Sequence, residues 1–244
     1  MEKEKFYGTL KAKFKEIADK HDIADDRISV ISVRPLTPYE AIGRPERSSF
    51  PILRGKEVII EAVFRGSTGQ AFTDSPSDFK GTVSDLLKLT LSNNSERAIF
   101  IASLNAIMRH FGYIANTVHC KDNEPEICSE RLIEYVKERF GNPKIAFIGY
   151  QPAMINKLSQ SFEIKVVDLD QDNIGKEKFG LKICGPEKTP EVVLWGDIII
   201  ATSSTAANGT MVDFIRKKPV IFYGVTGASV CVLLGLTRFC PCSR

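Results

Sequence analysis

No apolar run in this sequence approaches the ~20 residues that a membrane-spanning helix requires. The longest candidate, Ala228 to Leu236, is short and contains Gly235. The opening Met1-Glu2-Lys3-Glu4-Lys5 lacks the apolar core of a secretory signal. A cytoplasmic protein is therefore expected, and the sequons at Asn93 and Asn208 read as chance matches. No Cys-x-x-Cys pair occurs, which removes zinc ribbons and thioredoxin-type redox sites. Gly-x-Gly-x-x-Gly and Gly-x-Ser-x-Gly are also missing, which argues against an ordinary dehydrogenase and an α/β-hydrolase. Nor is one charge in excess: 33 basic residues face 30 acidic ones, for a net charge of +3. That balance predicts no nucleic-acid partner and no anionic membrane surface.

What is present is the composition of an ordinary globular protein, 244 residues with 43% hydrophobic and 26% charged. Phe6, Leu10, Phe14 and Ile17 recur at helical spacing, predicting an amphipathic helix from about Glu4 to Lys20. Ile28 to Val33 alternates as a strand, broken by Pro35 and Pro38. Val58 to Phe64 is a β-branched run, and the turn at Arg65-Gly66 leads into a second strand ending at Thr73, making a hairpin. Asp74 to Asp78 reads as a loop, with Ser77 or Asp78 capping a helix through Leu91. Another helix runs from near Asn94 to Phe111, closed by Gly112. Strands followed by helices predict an α+β lobe over residues 1–115. Residues 116–140 read as a polar linker followed by a connecting helix over Cys128 to Phe140.

From residue 141 the pattern changes. Lys144 to Ile148, Ile164 to Val167, Asp197 to Ala201 and Pro219 to Phe222 are short apolar strands. Helical segments separate them at Pro152 to Leu158, Glu191 to Trp195 and Val212 to Arg216. This alternation is the signature of parallel β/α units. Residues 141–244 are therefore expected to form a Rossmann-like open, mainly parallel sheet with flanking helices, and the fold class is α/β.

Ligands of such sheets bind outside the carboxyl ends of the strands. Gly149, Tyr150 and Pro152 supply a tight turn and a helix N-terminus, whose N–H groups at Ala153 and Met154 suit an anion or polar ligand. Asp168 ends the second strand, where a carboxylate either accepts ribose hydroxyls or caps a loop. Thr202, Ser203, Ser204, Thr205 and Asn208 follow the third strand, and Gly224, Thr226 and Gly227 the fourth. Their convergence predicts a polar pocket for a small molecule such as a nucleotide, S-adenosylmethionine or a pterin. The first lobe would act as its lid. No catalytic residue and no cofactor is assigned, because His21, His110 and His119 are not placed near the crevice. Asp168, Asp170 and Asp172 lack the glycine and distal glutamate of a calcium loop. The cysteines Cys120, Cys128, Cys184, Cys231, Cys240 and Cys242 are expected as reduced thiols. His119 with Cys120 and Cys128, and Cys240-Pro241-Cys242, offer soft donors at spacings that are not diagnostic, and no metal ligand is assigned.

Several segments resemble the putative heavy-metal chelation family: Ile148 to Pro152, Asp168 to Asp170, Asp197 to Thr210, Phe222 to Thr226 and Leu233 to Pro241. Gly69 to Thr73 and Ala102 to Ala106 are similar to that family's first domain, so the resemblance spans nearly the whole chain. It implies a Rossmann-like C-terminal domain preceded by an enolase-N-terminal-like domain, in a bacterial or archaeal homodimer. It carries over no catalytic residue. Its metal label points first to Cys240, and one thiol cannot complete a tetrahedral site without partners from elsewhere, such as a dimer mate. Cys242, close to Arg244, is expected on a mobile tail.

Overall fold

The structure is a computed structural model and describes residues 2–24, 31–55, 57–215 and 218–244. Helix α1 (Lys3–Lys20) buries Phe6, Leu10, Phe14 and Ile17, the stripe expected from their spacing. Strands β1 (Ile31–Pro35), β2 (Val58–Phe64), β3 (Ser67–Thr73) and β4 (Phe79–Gly81) form an antiparallel sheet in the order β3-β2-β1-β4. A short helix α2 (Pro38–Ile42) follows β1. Pro35 closes β1 instead of breaking it, and Ile28 to Val30, expected as strand, lie outside the described residues.

Beyond β3 the chain departs from expectation. Phe79 to Gly81 pairs with β1, so neither Ser77 nor Asp78 caps the next helix. The cap is Thr82. Its Oγ1 accepts from the Asp85 N–H at 3.2 Å, and Asp85 Oδ2 accepts from the Thr82 N–H at 3.0 Å. That reciprocal box fixes a shorter helix α3 (Val83–Lys88). Helix α4 (Asn94–His110) is capped by the Asn93 side chain and is buried along most of its length. Helix α5 (Glu124–Phe140) starts earlier than predicted, with Pro125 in its first turn.

The second half alternates strand and helix: β5 (Ile145–Ile148), α6 (Pro152–Leu158), β6 (Ile164–Val167), β7 (Glu177–Lys178), β8 (Leu181–Cys184), α7 (Thr189–Trp195), β9 (Ile198–Thr202), α8 (Thr205–Asn208), β10 (Val220–Tyr223), α9 (Ala228–Leu234) and β11 (Thr237–Phe239). The sheet order is β11-β10-β9-β5-β6-β8-β7. All neighbours are parallel except the edge pair β7–β8. Two short elements escape sequence periodicity. The β7–β8 hairpin turns at Phe179 and Gly180, both at positive φ, through a dipeptide with no strong turn signature. β11 has only three residues. In place of the helix expected from Val212 to Arg216, a 3-10 turn occupies Met211–Asp213, and Arg216 is outside the described residues.

The parallel strands read as apolar runs because both faces are covered. Ala146 and Ile148 of β5 and Ile199 and Ala201 of β9 point into the cluster shared with α1, α4 and α8. Ile145, Phe147, Ile198 and Ile200 point to the other face, against Cys128, Leu132 and Val136 of α5 and Ile155 and Leu158 of α6. The antiparallel sheet and the parallel sheet thus share one continuous core, with α4 as the seam.

Candidate functional site

Taking only the parallel strands in chain order, the sheet runs third-second-first-fourth-fifth-sixth. Order reverses between β5 and β9, so the switch point lies between the loop at Gly149 and the loop at Thr202. A cavity of about 600 Å³ opens there, within the range of small-molecule sites. Gly149 has φ 93°, and a Cβ on it would lie 2.7 Å from Thr202 Cγ2. The glycine is required both by its backbone conformation and by the closeness of the two loops.

Seven of the twelve residues expected from sequence line this cavity: Gly149, Tyr150, Asp168, Thr202, Ser204, Thr205 and Asn208. Pro152, Ser203 and Gly224 instead line a smaller chamber of about 100 Å³ beside it, which also touches Gly149, Tyr150 and Thr202. Thr226 and Gly227 line neither. Thr226 is fully buried, and its Oγ1 accepts from the Phe72 N–H at 3.0 Å, joining the loop after β10 to β3. Gly227 packs against Ser203, where a Cβ would approach within 2.7 Å.

Of the two N–H groups expected as an anion seat at α6, that of Met154 is taken by the protein itself. Gln151 Oε1 accepts from the Met154 N–H at 2.6 Å, the Gly149 N–H donates to Val167 O, and the Tyr150 N–H donates to Asp168 Oδ2 at 2.8 Å. Asp168 also accepts through Oδ1 from the Asp170 N–H at 2.9 Å and from Asn173 Nδ2 at 3.1 Å. It therefore organises its own loop while lining the cavity. Burial is the main influence on its carboxyl and holds it above the ordinary range despite these donors. The hydroxyls after β9 bond largely to one another, Thr202 Oγ1 lying 2.9 Å from Ser204 Oγ, while Thr205 Oγ1 donates to Thr202 O at 2.6 Å.

The far wall comes from the first lobe and was not legible in the sequence. Glu57, Phe72, Thr73 and Asp74 face the strand ends, and Asp170, Asn173, Thr189, Thr210 and Asp213 add to the polar lining. Glu57 is half-buried at the junction of the two cavities. Burial, followed by the nearby carboxylates of Asp168, Asp170 and Asp74, pushes its pKa up to about 7. The phenol of Tyr223, also raised by burial and then by Glu57, faces the same group. An acid whose folded pKa exceeds its unfolded value stabilises the protein below the unfolded pKa and loses that contribution as pH rises through the folded one. Glu57→Gln is therefore expected to leave stability unchanged near pH 4. At pH 8 it should raise it by about 1–3 kcal/mol, allowing for partial exposure. Thermal unfolding of both proteins at the two pH values checks this, and an equal effect at both would contradict it.

The smaller chamber gathers His119, Cys120, Cys128 and Cys240. His119 was expected to lie away from the site. Burial lowers its pKa to about 4, so the ring is neutral. Its Nδ1 lies 2.6 Å from Cys120 O, which can only accept. The proton is thus on Nδ1 and the lone pair on Nε2. Burial first, then neighbouring thiols, hold Cys120 and Cys128 far above the ordinary thiol range. Cys242 lies beside Cys128 and contributes to that shift. The segment carrying it is not a free tail: the Val118 N–H donates to Arg244 O at 2.7 Å, and the Arg244 N–H returns to Val118 O at 2.9 Å. Among the described residues, no three Cys, His, Asp or Glu side chains are placed to hold one metal ion together.

A mainly parallel sheet in this strand order, with its crevice at the switch point, is a Rossmann-like α/β architecture. More particularly, residues 131–237 match the model of DUF364, a family described as "Putative heavy-metal chelation". The chain is similar in fold to a DUF364 protein of unknown function from Pyrococcus horikoshii. The two share 16% identity at a TM-score of 0.55, over 91% of this chain and 79% of the other. A second DUF364 protein of unknown function, from Desulfitobacterium hafniense, aligns at 12% identity and a TM-score of 0.49 over 72% of each chain. No curated protein matches the chain. Among the described residues no helix is long and apolar enough to cross a membrane.

Proposed function

We propose that this is a small-molecule-binding protein whose polar, nucleoside-like ligand occupies the crevice at the strand ends. The lobe of residues 1–115 serves as its lid. The observation that carries this reading is the 600 Å³ cavity at the switch point, walled by Gly149, Asp168 and Thr202 on one side and by Glu57 and Phe72 on the other. Nucleotides, S-adenosylmethionine and pterins are the classes to test. Binding to the folded state raises stability by RT ln(1 + [L]/Kd), about 2.7 kcal/mol at a hundredfold excess over Kd. For a chain of this length that is a rise in Tm of roughly 5–10 °C. Thermal-shift titration of each class measures it, and no shift from any class at millimolar ligand would sink the reading.

A second reading is soft-metal binding at the smaller chamber, favoured by His119, Cys120, Cys128 and Cys240 all lining it, although no three of them are placed to hold one ion together without rearrangement. These donors suit a soft or borderline ion such as Zn²⁺ or Cu⁺. Binding would require thiol rotation and release of thiol protons, and hence would strengthen as pH rises. Untagged protein is expected to carry about one equivalent of metal, lost in Cys240→Ser. Substoichiometric metal that the substitution leaves unchanged removes this reading.

A further inference from the structure

We propose that Cys128 and Cys242 are a site of reversible oxidation, forming a disulfide on exposure to a small-molecule disulfide such as oxidised glutathione. The bond would clip the segment that follows β11 onto α5. It depends on neither ligand reading.

The first support is position. Cys120, Cys128 and Cys240 line the same small chamber, and Cys242 packs against the apolar cluster that contains Cys128. All four are free thiols. Within the group Cys242 lies beside Cys128. Among the described residues, no three Cys, His, Asp or Glu side chains are placed to hold one ion. Two neighbouring sulfurs without a third suit a bond to each other better than a shared metal. A bridge between Cys240 and Cys242 would instead have to close a tight ring across Pro241, whose φ is fixed.

The second support is that both partners are held in place. Cys128 sits near the start of α5, on a regular helix. The segment carrying Cys242 is fastened on both sides. Arg238 Nη2 donates to Asn116 O at 2.6 Å, and Ser243 Oγ donates to Cys240 O at 2.7 Å. Arg244 exchanges two backbone hydrogen bonds with Val118, and its Nη2 donates to Glu124 Oε1, on α5 itself, at 2.8 Å. The chain order that a disulfide requires is thus already present, and closing the bond costs little further entropy.

Unequal exposure sets the order of attack. Cys242 is half-buried, whereas Cys128 is 3% exposed. Burial raises the Cys242 thiol, and the Arg131 guanidinium, one turn beyond Cys128, opposes that rise. Cys242 is therefore the entry point. Its thiolate attacks one sulfur of the small disulfide RSSR, giving Cys242–S–S–R and releasing RS⁻. The Cys128 thiolate then attacks the Cys242 Sγ, and the second RS⁻ leaves. The two cysteine protons end on the two leaving groups. The protein loses two electrons, and RSSR becomes two RSH.

The test exposes the whole protein to excess oxidised glutathione at pH 8, with EDTA present so that no metal masks a thiol. Remaining thiols are then blocked with N-ethylmaleimide under denaturing conditions. Digestion without reduction and mass spectrometry locate the bridge. The expected product is a peptide pair joining Cys128 to Cys242 within one chain, released by dithiothreitol. Cys128→Ala should stall Cys242 as its mixed disulfide with glutathione. Cys242→Ser should leave Cys128 reduced and open to the maleimide. Circular dichroism checks the fold of both variants, and Cys242→Ser, at a half-buried position, decides the matter alone if Cys128→Ala does not fold. No bridge in the unsubstituted protein, or one that forms only in urea, overturns the proposal. So does a bridge joining any other pair of cysteines, or oxidation of Cys128 in Cys242→Ser as rapid as in the unsubstituted protein.

Discussion

Gly69→Ala is expected to destabilise the protein by about 3 kcal/mol or more, the upper part of the range for overpacking a core. Gly69 lies in β3 opposite Ala62 of β2, and on its other side the strand backbone rests on α4. A Cβ there would sit 2.3 Å from the Ala106 backbone nitrogen, 2.4 Å from Ala102 O and 2.7 Å from the Asn105 carbonyl carbon. All three are backbone atoms inside a long buried helix, so no rotamer change makes room. Only a shift of the strand off the helix would, and that would open the core both halves share. The contrast with Gly149 sharpens the test. At Gly149 the nearest obstacle is the Cγ2 of Thr202, a side-chain atom. Thr202→Ser should therefore rescue part of Gly149→Ala, leaving the cost of a positive φ. No side-chain trimming of Ala102 or Ala106 should rescue Gly69→Ala. Urea unfolding of the two single variants and their partnered doubles measures this, and a rescue of Gly69→Ala by Ala106→Gly would refute the account.

How much of this was legible in the sequence follows from the range of the interactions. The apolar runs at β5, β6, β9 and β10 were readable because burial on both faces leaves no polar alternation to confuse them. From those runs the crevice edge followed, and with it Gly149, Asp168 and the Thr202 loop. β4 and β11, at three residues each, are too short to carry a period, and the hairpin at Phe179-Gly180 has no strong turn signature. The opposite wall was hidden for a different reason. Glu57 precedes a buried strand and Asp74 follows one, where charged residues are ordinary, and nothing local says that they face Asp168 more than ninety positions away. The same limit explains Thr226 and Gly227. Their residue types suit a ligand loop, yet contacts with Phe72 and Ser203 commit them to joining the lobes.

That joint rests most heavily on Asn105, and Asn105→Leu is expected to cost about 3–5 kcal/mol, a large share of the stability of a natural protein. Asn105 is fully buried in α4. Its Nδ2 donates to Gln70 O at 3.0 Å and lies within 3.2 Å and 3.4 Å of Val225 O and Thr226 O. Its Oδ1 accepts from the Ser229 N–H at 2.8 Å, at the start of α9. One amide thus ties β3, α4, the loop after β10 and α9 together behind the crevice. Leucine fills a similar volume, so little of the loss would come from a cavity. It would come instead from an orphaned N–H and unmet carbonyls, each about 1–3 kcal/mol when buried. Asn105→Asp separates the two halves of the amide. The carboxylate still accepts from Ser229 but now confronts the carbonyls of Gln70, Val225 and Thr226 with a buried negative charge or a single hydroxyl. It should be no less damaging than leucine at pH 7 and less damaging at pH 4, where protonation restores one donor. An Asn105→Asp protein as stable as wild type at pH 7 would show that the Ser229 bond alone holds the joint, and that the donors toward the three carbonyls contribute nothing.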